Sequence, residues 1–227
     1  MQPERIDLIV LAGTAWDGTN RKSVVELSRA LSARMRVLFV ENPPTVNSLK
    51  RWHAVPGRLD QPADNVWRLT PHLALPANRL PPLLWRQAMR VNRWRLAQAV
   101  SQACKTLGIR EYVLLNAWNP TYGLDLPGML APRRAVYYCY DDIGAAVWKA
   151  RHGEAAERAV LAAVDAVVAS SPGLVDRCAQ VNPQTTLVPN GVDFAGFQQP
   201  APPHPLCAGD GPPVSYTHLT LPTIQPV

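Results

Sequence analysis

The chain has 227 residues, 47% of them hydrophobic and 18% charged, with a formal net charge of +6 at pH 7, which supplies core material for one large domain or two small ones. No apolar run reaches the about 18 residues of a membrane span, and the opening MQPERIDLIVLAG has neither a basic n-region nor a small-residue cleavage site. Cys104, Cys139, Cys178 and Cys207 lie far apart, with no CxxC pair and no histidine at zinc spacing, so neither a disulfide framework nor a metal site is expected and a reducing cytoplasm fits. Four lysines stand among the 23 basic residues; the excess is arginine, which coding bias explains as easily as a binding face, and no nucleic-acid partner is expected.

Taken in order, Ile6 to Leu11 (IDLIVL) is a β-branched run stopped by Ala12 and Gly13, the pattern of a strand buried on both faces. Lys22 to Arg34 then spaces Val24, Val25, Leu27, Ser28 and Leu31 as a helix does, and Arg36 to Val40 (RVLFV) is a second buried strand ended by Glu41, Asn42, Pro43 and Pro44. Strand, helix and strand in so short a span form a βαβ unit with a right-handed crossover. Val66 to Leu69 is a candidate short strand, and the proline-rich Pro71 to Pro82 reads as a loop.

Leu83 to Leu107 reads as one long helix or two joined, opened by Pro81 and Pro82 and closed by Gly108. The remainder alternates strands at Tyr112 to Leu115, Ala135 to Tyr140, Ala166 to Ala169 and Thr185 to Val188 with helices at Glu154 to Val164 and Pro172 to Ala179. Strands interleaved with helices in this way predict an α/β fold, a Rossmann-like, doubly wound, mainly parallel sheet. No internal repeat is evident.

Open α/β sheets bind ligands beyond the carboxyl ends of their strands. Five such ends carry Gly13, Thr14, Ala15, Trp16, Asp17 and Gly18 with Arg21; Glu41, Asn42 and Pro43; Asn116, Ala117, Trp118 and Asn119; Asp141 and Asp142; and Ser170 and Ser171. Amide, hydroxyl, carboxylate and indole groups suit a polyol, since Asp and Asn pair with hydroxyls and Trp stacks on a sugar face. Ordinary roles compete. Gly13 and Gly18 lack the GxGxxG fingerprint and could simply turn the chain; Asp141 and Asp142 could cap a helix; Ser170 and Ser171 suit an N-cap before Pro172. His53, His72 and His152 have no pairing spacing and are expected to face solvent.

Residues 134–197 carry a strand ending Tyr140-Asp141-Asp142, then Ala163-Val164-Asp165-Ala166-Val167-Val168 followed by Ala169-Ser170-Ser171, and Val188-Pro189-Asn190-Gly191-Val192-Asp193 with Phe197. This order resembles the second half of the N-terminal domain of GT-B glycosyltransferases, family 4 and its relatives. A strand, Trp16-Asp17-Gly18, Arg21, a helix and RVLFVENP resemble the opening of the teichuronic-acid-biosynthesis type within that group. The resemblance covers most of residues 5–197 and is weakest between 45 and 110.

The resemblance implies one half of a GT-B fold: residues 1–197 as the acceptor-side domain, 198–213 as a proline-rich linker toward a donor-binding domain outside this chain, and catalysis in the cleft between the two. A nucleotide-sugar donor would be held mainly by that second domain, with no cofactor, and the acceptor would be a sugar or a cell-envelope or lipid-linked glycan. Gly13, Trp16, Arg21, Asn116 and Asp141 become acceptor-binding candidates, Asp17 and Asp142 candidates for binding or deprotonating the acceptor hydroxyl, and Asn190, Gly191 and Asp193 interdomain residues, with Gly191 expected at positive φ. The sequence departs from the family pattern: there is no glycine pair after the first strand, and Asp141-Asp142 stands where many members have a histidine, so no base is assigned firmly. Epimerases and phosphorylases of the same fold remain alternatives, as does a non-catalytic binding fragment.

Two features of the chain stand apart. Val214 to Thr223 (VSYTHLTLPT) resembles the translation of a transposase adapter used in sequencing libraries, so residues 214–227 are expected to be a non-native tail outside the fold. In the long helix, Arg86, Arg90 and Arg93 recur at spacings that share a face, beside Trp85, Met89 and Trp94. That pattern suits peripheral association with the anionic inner face of a membrane, while a solvated arginine face over a core-packed helix is the plainer expectation.

Overall fold

A computed structural model describes residues 6–17, 23–46, 56–77, 79–145, 152–191, 194 and 198. Within them the chain runs β1 (Asp7–Ala12), α1 (Ser23–Ser32), β2 (Val37–Val40), β3 (Arg58–Ala63), β4 (Val66–Thr70), α2 (Pro82–Leu107), β5 (Tyr112–Ala117), α3 (Pro120–Gly123), α4 (Leu126–Leu130), β6 (Arg134–Cys139), α5 (Gly153–Ala163), β7 (Ala166–Ala169), α6 (Pro172–Ala179) and β8 (Thr185–Leu187). The strands form one sheet in the order β3-β4-β2-β1-β5-β6-β7-β8. Every neighbouring pair is parallel except β3 with β4.

Residues of β1 and β2 are buried on both faces, and alternation sends successive side chains to opposite layers. On one face Ile9, Leu11, Leu38, Val40 and Leu114 pack with Leu96, Val100 and Cys104 of α2. On the other, Leu8, Val10, Val37 and Phe39 pack with Val24 and Val25 of α1. Helices on both faces make the sheet doubly wound, as its strand pattern predicts. At the amino edge Arg36 pairs with Asp7 at 2.5 Å and donates to the carbonyl of Leu107, tying the end of α2 to the start of β1.

The long apolar-periodic segment is one helix. It starts at Pro82, where a missing N–H costs nothing, and ends at Gly108, whose φ of 65° lets its N–H return to the carbonyls of Cys104 and Lys105. Three features were not legible in sequence: strand β3, whose residues RLDQPA are half-buried or exposed and none of them buried, and the short helices α3 and α4. A lone edge strand has only one neighbour to satisfy, so its sequence needs no apolar run. Gly191 does not meet its expectation, since positive φ among the described glycines occurs only at Gly57 and Gly108.

The chain separates into two compact units, 1–190 and 191–227. Of the second, only Gly191, Phe194 and Gln198 are among the described residues, so nearly all of the expected linker and the whole expected tail at 214–227 lie outside them, as do Gly18, Arg21, His53, Asp193 and Phe197.

Candidate functional site

Chain order places the crevice. After β1 the sheet grows through β2 and β4, then returns to the far side of β1 with β5. The loops after β1 and β5 therefore part in opposite directions, opening the switch-point crevice where such sheets take ligands. Asn119 lies across it. Its amide donates to the carbonyl of Ala12 at 3.1 Å and to Oδ1 of Asn42 at 3.2 Å, and its own N–H is received by Asn116 Oδ1 at 3.0 Å. One residue thus joins the ends of β1, β2 and β5, its side chain to the first two and its backbone to the third.

Asn116, a candidate from sequence, serves beneath this arrangement. It is buried, and its amide lies so close to Gly123 that a methyl group there would meet Nδ2 at 2.0 Å. Trp118 follows with φ of 50°, a left-handed conformation that is costly for a bulky side chain. It is held by its N–H to the Tyr138 carbonyl at 3.0 Å, its indole N–H to the Asp141 carbonyl at 2.8 Å, and a tilted contact with Tyr140.

The other predicted residues fall into two groups on this edge. Toward β2 and β4, the buried Trp16 packs edge-on against Phe39 with centroids 5.1 Å apart, and Arg29 lies over its ring. Its backbone N–H donates to Glu41 Oε1 at 2.8 Å, while Glu41 Oε2 accepts the Thr70 hydroxyl at 2.6 Å. Gly13 begins this loop and is half-buried. Asp17 is paired with Arg68 of β4, which also binds Asp60 of β3. Those contacts hold the Asp60 carboxyl below its ordinary range, chiefly through the Arg68 hydrogen bond.

Toward β6 and β7, Asp142 Oδ1 accepts from the Gly144 N–H at 2.9 Å and from Arg177 at 2.8 Å. Asp141 receives the Asp142 N–H on its own carboxylate at 2.8 Å. Arg177 continues inward to the buried Glu157 at 3.2 Å, whose other oxygen accepts the Tyr137 hydroxyl at 2.8 Å. Burial pushes the Glu157 carboxyl up and the Tyr137 phenol well up. Burial likewise raises Tyr140 to about 12. Asn190 accepts the Tyr138 hydroxyl at 3.1 Å, which fixes the end of the first unit to β6.

All these groups lie at one edge, but Asp17 is drawn to β4 and Asp142 extends from β6. Four strand spacings of about 4.8 Å, roughly 19 Å, separate those strands. The side chains those two carboxylates bind, Arg68 and Arg177, thus belong to different parts of this edge. Ser171 occupies the N-cap of α6 without a side-chain cap bond, and Ser170 donates to the Tyr140 carbonyl at 3.2 Å. His152, expected in solvent, instead stacks on Trp85 with centroids 4.5 Å apart. No cluster of metal-ligating side chains occurs among the described residues.

Sequence reasoning did not single out Arg68 or Arg177. Arg68 had a signal, a charge inside the apolar strand VWRLT; Arg177 had none, because its partners come from β6 and α5.

No family model and no curated protein matches the chain. Solved structures do. A sucrose-phosphate synthase of Thermosynechococcus elongatus is 15% identical with a TM-score of 0.51, over 84% of this chain and 92% of that one. A trehalose-6-phosphate protein of E. coli bound with UDP-2-fluoro glucose is 12% identical with a TM-score of 0.52, over 86% of this chain and 52% of that one. The chain thus spans about half of the second. The architecture is that of these GT-B glycosyltransferase neighbours, an α/β, Rossmann-like, mostly parallel eight-stranded sheet.

Proposed function

We propose that the chain is the acceptor-binding half of a glycosyltransferase that takes its sugar from a nucleotide-sugar donor. The observation that carries this reading is Asn119, whose amide joins Ala12 and Asn42 across the switch point, on the same sheet edge as Trp118, Asp141, Asp142 and Arg177. Amides, carboxylates and an indole are the groups that pair with hydroxyls and pack on a sugar ring. Asp142 is the favoured group for orienting the acceptor hydroxyl: its side chain is about half exposed, while Arg177 and the Gly144 N–H fix one oxygen. Asp17, tied to Arg68, is favoured for shaping the opposite wall.

The donor would be held mainly by a second domain, and the acceptor would be a cell-envelope or lipid-linked glycan handled at the cytoplasmic face of a membrane. The chain alone is then expected to bind saccharides without turnover. Saturation-transfer NMR with a panel of oligosaccharides should show contact that is lost in Asp142→Ala and in Asn119→Ala, with no UDP released from UDP-sugars. Sugar transfer by the isolated chain, or saccharide contact indifferent to both substitutions, would overturn the assignment.

A further inference from the structure

The amino-terminal half of α2 carries a surface that the crevice does not use. This helix has 26 residues and is about 39 Å long at 1.5 Å per residue, whereas β5 has six residues and is about 20 Å long. Its carboxyl end is held at the amino edge of the sheet by Arg36, and Arg93 meets the carbonyl of Thr121, just past β5, at 2.8 Å. Pro82 to Asn92 therefore overhangs the carboxyl edge, beside the crevice.

On this overhang and the first residues after it the apolar side chains are divided. Trp85 and Met89 face inward, while Leu83, Leu84, Val91 and Trp94 are 70%, 55%, 45% and 57% exposed. At about 100° per residue those four fall within one arc of roughly 100°. Arg86 and Arg90 border the arc on one side and Arg95 on the other. None of the three has an ion-pair partner among the described residues, and α2 contains no acidic residue. Arg93, which the spacing groups with Arg86 and Arg90, is instead buried, bound to Thr121 and paired with Asp125 at 2.8 Å. It does not belong to the surface.

We infer that this face of α2 docks on an anionic lipid bilayer, with Leu83, Leu84, Val91 and Trp94 entering the interface and Arg86, Arg90 and Arg95 meeting lipid phosphates. An apolar stripe containing Trp and bordered by arginines on both sides is the arrangement an interfacial helix requires. A second copy fits poorly, because pairing the face with itself brings arginine against arginine. Four side chains are also far short of the roughly 20–30 residues a side of a standard protein interface. The docked face adjoins the crevice, so an acceptor borne on lipid could reach the crevice while its tail stayed in the bilayer. Docking itself goes beyond the proposed transfer and requires no acceptor.

Co-sedimentation with vesicles of equal parts phosphatidylglycerol and phosphatidylcholine tests it, against pure phosphatidylcholine vesicles. Binding should require the anionic lipid and weaken with salt. Arg86→Gln and Arg90→Gln should each lower partitioning about five-fold, and Leu84→Ser with Trp94→Ser about ten-fold or more. All four positions are exposed, so thermal midpoints should stay near that of the parent chain, which separates lost docking from lost folding. No binding to anionic vesicles, or binding indifferent to both sets of substitutions, would refute the inference. So would a concentration-dependent dimer abolished by Leu84→Ser and Trp94→Ser. Because the vesicles carry no saccharide or nucleotide, a negative result leaves the acceptor-binding experiment standing, and the converse also holds.

Discussion

Replacing Glu41 by alanine should release the wall of the crevice built by Trp16. Glu41 is buried and bridges two elements: one oxygen receives the Trp16 N–H at 2.8 Å and the other the Thr70 hydroxyl at 2.6 Å. Truncation leaves two buried donors without an acceptor, each costing about 1–3 kcal/mol. Removing a carboxylate that folding had to desolvate returns part of that. The net loss expected is about 2–4 kcal/mol. Glu41→Gln keeps a carbonyl for Trp16 and presents an amide from which the Thr70 hydroxyl can accept, so its cost should be about 1 kcal/mol. Urea unfolding followed by far-UV dichroism measures both, and tryptophan emission reports whether Trp16, packed on Phe39 and beneath Arg29, has become wet. Thermal midpoints should fall by about 2–4 °C per kcal/mol for a chain of this size. If the alanine variant lies within about 0.5 kcal/mol of the parent, or the glutamine variant is as damaged as the alanine one, Glu41 does not anchor the loop after β1.

The remaining predictions concern backbone and protons. Gly123→Ala should be much worse than Gly108→Ala: the first drives a methyl group into the Asn116 amide, which is buried and held by the Asn119 N–H, whereas the second has open space and bears only the left-handed φ, about 1 kcal/mol; equal unfolding midpoints would contradict the packing described. Two carboxylates should give opposite pH dependence. Glu157, raised by burial above its ordinary 4.5, contributes stability that is full below that value and lost as pH climbs through its folded pKa. Asp60, lowered below 3.8 chiefly by its hydrogen bond from Arg68, contributes stability present above 3.8 and lost as pH falls through its folded pKa. Unfolding midpoints across pH for Glu157→Gln and Asp60→Asn should diverge from the parent chain in those opposite directions, and parallel curves would contradict the assigned causes.

Local patterns carried the fold class. A buried parallel strand must be apolar on both faces, so DLIVLA, VLFV and YVLLNA announce themselves. The stops were as readable, because Pro82 and Gly108 bound α2 for reasons that lie in their own covalent structure. Because all but one of the strand pairings are parallel, the residues that follow the strands do gather at one edge of the sheet.

What tertiary structure decided was which neighbours meet there. Strand order is set by packing between segments far apart in sequence, and it moved Asp17 to Arg68 and β4, and Asp142 to Arg177 and α6. It turned Asn116 under Gly123 and made Asn119 the joint of three strands. The same holds on α2. Helical spacing groups Arg93 with Arg86 and Arg90, but the helix lies against α3 and α4, where the Thr121 carbonyl and the Asp125 carboxylate engage two nitrogens of a buried guanidinium. Periodicity states which residues share a face; only the partner across that face decides whether it is buried, and at Arg93 the partner is Asp125.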